Sequence, residues 1–64
     1  MPRHEDIIIE FRRVGAFVKV SAVDPASLTE VSIVGDPRRS EAALRDAVLR
    51  KLAYVMKTKA QGRN

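Results

Sequence analysis

The sequence predicts a single α+β domain, in which a three-stranded antiparallel β-meander is followed by one C-terminal helix packed on one sheet face (β-β-β-α). Three short apolar runs alternate with period two, and turns that contain Gly or Pro separate them. From Ser40 onward the apolar spacing becomes that of an amphipathic helix. With 64 residues and no cysteine, the chain forms one small domain at most and has no disulfide framework. We expect this domain to have an ordered core over about residues 6–58 and flexible tails.

The first two strands are expected on either side of Gly15, in the runs Ile7–Arg12 and Ala16–Val23. Both runs alternate in polarity and are rich in β-branched and aromatic residues, which is typical of strands with one buried face. Two such runs about one glycine predict a β-hairpin. The side chains expected on its buried face are Ile7, Ile9, Phe11, Val18 and Val20.

Two registers of this hairpin fit the alternating pattern. A two-residue turn at Val14-Gly15 pairs Phe11 with Val18. A four-residue loop over Arg12–Gly15 pairs Ile9 with Val18 instead. Both keep the apolar side chains on one face, so the periodicity leaves both registers open.

Local chemistry separates the two registers only slightly. Val14 resists the positive φ of a two-residue hairpin turn, which favours the longer loop with Gly15 in the left-handed conformation. A cross-strand charge pair between Glu10 and Lys19 favours the shorter turn, but it contributes only about 0.2–1 kcal/mol. We therefore expect the longer loop.

The third strand is expected over Thr29–Val34, after the turn Asp24–Ser27 and before the break Gly35–Pro37. An Asp that accepts local backbone hydrogen bonds and a Pro with a fixed φ are typical of such turns. Val31 and Ile33 point to the buried side. Three strands joined by short loops predict an antiparallel meander.

The helix is expected to begin at Ser40, a good N-cap residue. Asp36, with Pro37 in the first helical position, is the alternative cap. Lys57 and Lys59 lie near the carboxyl end of the helix, where the dipole favours positive charge. At about 100° per residue the apolar side chains occupy an arc of roughly 140°. They are Leu44, Val48, Leu49, Leu52, Val55 and Met56. All of them except Leu49 are expected to pack on the sheet.

A single helix covers only one side of the sheet, and the side left open is not purely polar. Ile8, Phe17, Val23 and Val34 fall there among charged residues, and exposed apolar patches often mark interaction surfaces. The opposing interpretation is an ordinary surface with scattered apolar groups. The candidate interface residues are Ile8, Phe17, Lys19, Val34 and, on the helix, Tyr54. We expect a homodimer about a two-fold axis or an unidentified protein partner.

The charge is unevenly distributed along the chain, although the net charge is only +4. Residues 1–37 carry a net −2 and residues 38–64 a net +6. This asymmetry makes weak, sequence-tolerant nucleic-acid binding the alternative function, against a plain solvated helix face. The candidate anion contacts are Arg38, Arg39, Arg50, Lys51 and Lys57.

Catalytic and metal chemistry have little support in the sequence. His4 is the only histidine and there is no cysteine, so no zinc site is expected. The carboxylates and serines do not form a recognisable catalytic arrangement. The longest apolar run is Ile7–Ile9, too short for a transmembrane helix. We expect a cytoplasmic protein without enzymatic activity, cofactor, metal, membrane contact or small-molecule substrate.

Four short segments resemble a family of very short bacterial proteins, a domain of unknown function. The segments are Glu10–Gly15, Val18–Pro25, Thr29–Pro37 and Leu49–Val55. The similarity spans most of the chain, from about Glu10 to Val55. It implies a small stand-alone cytoplasmic protein and assigns no catalytic or binding residues.

Overall fold

The computed structural model describes residues 6–60 and has the predicted β-β-β-α order. The elements are β1 (Ile8–Val14), β2 (Phe17–Asp24), β3 (Thr29–Gly35) and α1 (Glu41–Ala60). The strands form one antiparallel sheet in the order β1-β2-β3, and α1 packs on one of its faces. The predicted fold class is therefore confirmed. Residues 1–5, with His4, and residues 61–64 of the predicted tails lie outside the described residues, whereas residues 59 and 60 are part of α1.

The core is formed where α1 meets the inward-facing side chains of the sheet. Its buried members are Val20, Ala22, Val31, Leu44, Val48 and Leu52. Half-buried apolar side chains surround them: Ile7, Ile9, Phe11, Val18, Ile33, Val55 and Met56. Every residue that the periodicity predicts for the core belongs to one of these two sets. Full burial of side chains this size stabilises the fold by about 1.5–3 kcal/mol each.

The first hairpin has neither of the predicted registers, and the expected four-residue loop is wrong. The turn is Gly15-Ala16, so Val14 pairs with Phe17 and Phe11 pairs with Val20. Gly15 has φ +59° and Ala16 does not have a positive φ, which matches the type II′ turn with glycine in the first central position. Because glycine takes the strained position, Val14 stays in the strand and the ladder extends to the turn itself.

The turn between β2 and β3 is held by a chain of polar contacts. Asp24 is only 1% exposed, and its carboxylate accepts hydrogen bonds from the Ala26 amide at 3.2 Å and the Ser27 hydroxyl at 2.8 Å. Ser27 Oγ lies 2.8 Å from Thr29 Oγ1, which also accepts a 3.0 Å bond from Lys59 Nζ. The last turn of α1 is thereby tied to a residue 30 positions earlier in the chain.

The helix begins as predicted from Ser40. Its hydroxyl accepts a 3.1 Å hydrogen bond from the Ala43 amide, and its carbonyl accepts one from the Leu44 amide. The alternative cap at Asp36 is wrong, because the Asp36 carbonyl accepts a bond from the Arg39 amide and closes a separate turn. That turn lies between the end of β3 and the N-cap.

The helix packs on β3 and β2 much more than on β1. Val20 and Val31 beneath it are buried, whereas Ile9 and Phe11 of β1 remain half-buried. Gly35 at the end of β3 allows this close approach, because a Cβ there would collide with the Leu44 side chain. The β3 side of the sheet is therefore covered more completely than the β1 side.

Candidate interaction surfaces

The face of the sheet opposite α1, here called the open face, carries every second side chain of each strand. The register places these side chains in rows that run across the strands. From one end of the sheet to the other, the rows are Ile8-Val23-Glu30, Glu10-Ser21-Ser32, Arg12-Lys19-Val34 and Val14-Phe17. The rows show which of the predicted interface residues are neighbours.

The exposed apolar side chains of the open face form two clusters instead of one patch. The Phe17 cluster consists of Val14, Phe17 and Val34, which are 52%, 56% and 68% exposed. The Ile8 cluster consists of Ile8, 58% exposed, and the half-buried Val23. The two ends of β1 are about 20 Å apart at about 3.4 Å per residue. A polar row led by Glu10 separates the clusters.

The Phe17 cluster lies beside two positive charges that face each other across the strands. Arg12 is directly opposite Lys19, and Lys19 is directly opposite Val34. Like charges in opposite positions of a sheet destabilise it. Neither cation forms an ion pair within residues 6–60. A negatively charged group bound here would relieve the repulsion.

Tyr54 does not belong to the open face. It lies on α1, in the layer that covers the other side of the sheet, and it is 70% exposed. On the helix it follows Lys51, whose Nζ reaches the β3 backbone, so Tyr54 faces outward near that edge. Of the predicted interface residues, Phe17, Lys19 and Val34 are neighbours, whereas Ile8 and Tyr54 lie elsewhere.

Two residues in and beside the Phe17 cluster are missing from the predicted candidates. In the expected register, Arg12 and Val14 both belong to the hairpin loop, whereas the structure places both in β1. A glycine in the first position of a two-residue turn is the sequence signal that places them in the strand.

Some of the predicted anion contacts already bond to other groups of the chain, and Arg38 is the first of them. The Arg38 guanidinium binds the Asp36 carboxylate through Nε and Nη2, the latter at 2.7 Å, and the Arg38 amide donates to the same carboxylate at 2.9 Å. These bonds from Arg38 lower the pKa of Asp36 below its ordinary value. The same contact raises the pKa of Arg38. Arg38 thus stabilises the loop between β3 and α1, in which it lies.

Two further candidates on the helix also have intramolecular partners. Arg50 forms a 3.0 Å ion pair with Asp46 one turn earlier, and Lys51 Nζ donates a 2.8 Å hydrogen bond to the Ser32 carbonyl. The side chains of Arg39 and Lys57 have no partner in the described part of the chain, and they lie about 25 Å apart near opposite ends of α1. The candidates therefore do not form a single basic patch.

The described residues contain neither a metal-binding cluster nor a helix that could span a membrane. Between residues 6 and 60, no group of three or more His, Asp or Glu side chains is placed to hold a metal ion. Over the same residues, α1 is not apolar enough to cross a membrane.

These observations define a small α+β protein whose distinctive side chains lie on the surfaces and edges of a sheet. The chain belongs to the family described as Domain of unknown function (DUF6898), whose family model matches residues 4–60. The predicted resemblance to a domain of unknown function is thereby confirmed. Neither the curated proteins nor the solved structures contain a match to the chain.

Proposed function

We propose that this protein is a non-enzymatic interaction module that binds a protein partner through the Phe17 cluster of its open face. The observation that carries the proposal is the juxtaposition of an exposed aromatic ring with the facing cations Arg12 and Lys19. Phe and Arg side chains are enriched in protein interfaces relative to the rest of the protein surface. The surface therefore combines an apolar side chain with two positive charges that an acidic group of a partner would neutralise.

The chemistry of this surface specifies the partner. Covering Val14, Phe17 and Val34 removes apolar area from water at about 25 cal/mol per Å². Carboxylates that approach Arg12 and Lys19 also offset the repulsion between these two cations. The expected partner presents an apolar surface bordered by Asp or Glu side chains. Its binding weakens at high salt more than a purely apolar contact would.

The test uses two matched substitutions of exposed apolar residues by glutamate. Phe17→Glu places a charge in the cluster, whereas Leu28→Glu changes a side chain that is 85% exposed in the β2–β3 turn. Proteins captured from the native cell by the tagged wild type are identified, purified and titrated against all three chains. We expect Phe17→Glu to weaken binding by about tenfold or more, and Leu28→Glu to leave it unchanged.

The same titrations can reject the proposal. A partner that binds the wild type and Phe17→Glu equally does not use this cluster. Failure of every captured protein to bind the purified wild type would also overturn the proposal. Thermal unfolding of each variant, followed by circular dichroism, shows whether a loss of binding reflects a loss of fold.

Weak, sequence-tolerant nucleic-acid binding through α1 is the second proposal, supported by the net +6 of residues 38–64. Arg39 and Lys57 would contact phosphates directly, and Arg38, Arg50 and Lys51 would have to exchange their present partners. Surface ion pairs are worth only about 0–1 kcal/mol, so this exchange costs little. Titration with DNA and RNA should show binding that falls steeply with salt. Absence of binding at low salt would eliminate this function.

The absence of enzymatic activity, the cytoplasmic location and the bacterial origin stay predictions. The first rests on the sequence, where carboxylates and hydroxyls do not form a catalytic arrangement. The other two rest on the implication of the family resemblance. None of the three enters the tests above.

A further inference from the structure

The outer edge of β1 exposes hydrogen-bonding groups that the sheet itself does not use. Val14 and Phe17 flank a two-residue turn, so they form a hydrogen-bonded pair, and alternate residues of β1 bond to β2 from there. The amides and carbonyls of Ile9, Phe11 and Arg13 consequently point away from β2. Within residues 6–60, no backbone or side-chain group bonds to them.

The outer edge of β3 is different because a side chain of α1 bonds to it. The same alternation directs the Ser32 carbonyl outward, and Lys51 Nζ donates a 2.8 Å hydrogen bond to it. Charged groups placed on an edge are one of the ways in which proteins prevent strand pairing. Among the described elements, β1 is therefore the edge strand that is left open to a further strand.

The side chains of β1 are arranged symmetrically about Phe11. Glu10 and Arg12 lie one position before and after it, and Ile8 and Val14 lie three positions before and after it. In an antiparallel pair of two identical strands centred on Phe11, Glu10 faces the partner's Arg12 and Ile8 faces the partner's Val14. The Glu10–Arg12 pair then occurs twice in the dimer, and each exposed apolar residue faces another apolar residue.

We propose that a second copy of this chain pairs antiparallel with β1, about a two-fold axis that passes beside Phe11. The hydrogen bonds in this register join Phe11 to the partner's Phe11 and Ile9 to the partner's Arg13, which are the groups that point outward. The two sheets become one six-stranded sheet with both helices on the same face. The two phenylalanine rings meet at the axis, each half-buried and each with its own Arg45 guanidinium 5.7 Å from the ring centroid.

Neighbouring registers pair the charges of β1 less completely. A two-fold axis requires both strands to pair about one residue, so the centre must lie at a residue of β1. Centring on Glu10 places two carboxylates opposite each other, and centring on Arg12 or Arg13 does the same with two guanidinium groups. Centring on Ile9 sets Glu10 against the partner's apolar Ile8 and places Arg12 opposite the partner's Asp6, which lies outside β1. Only the Phe11 register pairs Glu10 and Arg12 with each other.

This dimer also joins the two apolar clusters of the open face. In the monomer the Ile8 cluster and the Phe17 cluster lie at opposite ends of β1. In the dimer, one row runs through Phe17, Val14, the partner's Ile8 and the partner's Val23, and the symmetry repeats the row. The two proposals share Arg12 and Val14, but they concern different surfaces, since the partner protein occupies the open face and the second copy occupies the edge.

The test exchanges the two charges that set the register. In Glu10→Arg, the introduced guanidinium of each copy faces the partner's Arg12, and in Arg12→Glu, carboxylates face carboxylates. Each single variant should raise the Kd of the dimer by about tenfold or more, measured by sedimentation velocity over a concentration series. An equimolar mixture of the two variants should recover the dimer, because each charge then meets its opposite. The double variant Glu10→Arg with Arg12→Glu should recover it as well.

A control variant and a second measurement identify the edge as the site. Glu30→Arg changes a charge on the open face of β3, away from the β1 edge, and should leave the dimer intact. Amide hydrogen exchange should slow with increasing concentration at Ile9, Phe11 and Arg13. The amides of Glu10 and Arg12 bond to β2 and should be protected at every concentration.

Several results would overturn the proposal. They are a wild type that stays monomeric at all concentrations, a mixture that associates no better than the single variants, and a dimer in which the Phe11 and Arg13 amides stay unprotected. Each can occur while binding of a partner protein still depends on Phe17. Conversely, loss of that binding leaves the exchange pattern at the β1 edge unchanged, so the two proposals fail separately.

Discussion

The helix contacts the two edges of the sheet to different extents. On the β3 side, α1 buries Val31, and Lys51 and Lys59 reach over to bond with Ser32 and Thr29. On the β1 side, the apolar residues are only half-buried and the outer backbone groups have no partner within residues 6–60. One helix of this length thus reaches one edge of a small sheet and leaves the outward groups of the other edge without a partner within residues 6–60.

Burial differs most between the two sides, so core substitutions should separate them most clearly. Leu52→Ala removes a buried side chain above β2 and β3 and should lower the free energy of unfolding by about 2–5 kcal/mol. Ile9→Ala, on the β1 side, should cost clearly less, because Ile9 is only half-buried in the monomer. Denaturant unfolding at low protein concentration measures both. Equal losses would mean that β1 is as well covered as β3.

The next substitution tests the close contact that brings the helix to β3. Gly35→Ala drives a methyl group into the buried Leu44 side chain and should destabilise the fold by about 1–3 kcal/mol, measured by the same unfolding. Gly15→Ala is the matched control, since it meets open space but keeps a positive φ, which costs about 1–2 kcal/mol. If Gly35→Ala unfolds no more easily than the wild type, the helix is free to move away from β3.

A more modest loss of stability is expected where the helix protects the β3 edge. Lys51→Met keeps the apolar stem and removes the hydrogen bond to the Ser32 carbonyl, with a loss of about 0.5–1.5 kcal/mol. The β3 edge is then open like the β1 edge. Light scattering should show species larger than those of the wild type at equal concentration. An unchanged size distribution would show that Lys51 does not protect this edge.

The weakest dependence expected is on pH, at the loop that leads from β3 to α1. Arg38 lowers the pKa of Asp36, so ionised Asp36 stabilises the fold at pH values above its ordinary value of 3.8. This contribution is lost as the pH falls through the lowered pKa of the folded protein. Asp36→Asn keeps an oxygen that accepts from the Arg38 amide but has no charge to lose. The difference in Tm between the wild type and this variant should therefore shrink as the solution becomes acidic.

The order and type of the elements could be predicted from the sequence because each has a local cause. The period of two from Ile7 to Phe11, the cap at Ser40 and the helical spacing from Leu44 act over a few residues. The predicted hairpin register is wrong because the alternating pattern is the same in every register that shifts the pairing by two residues. The left-handed φ of Gly15 decides the register, and its position within the turn is not visible in the periodicity.

The candidate site was less accessible from the sequence because it depends on pairing between strands. Phe17, Lys19 and Val34 could be assigned to one face, but only the register shows that Arg12 and Val14 lie beside them. The edges depend on where the helix rests across the sheet. That position follows from contacts such as Gly35 with Leu44 and Lys51 with Ser32, which join residues distant in the chain.

The hydrogen bond from Lys59 to Thr29 also bears on biosynthesis, since it joins positions 30 residues apart. The strands leave the ribosome before the helix that covers them. The apolar side chains of the strands therefore stay exposed to solvent until the last turn of α1 has been synthesised.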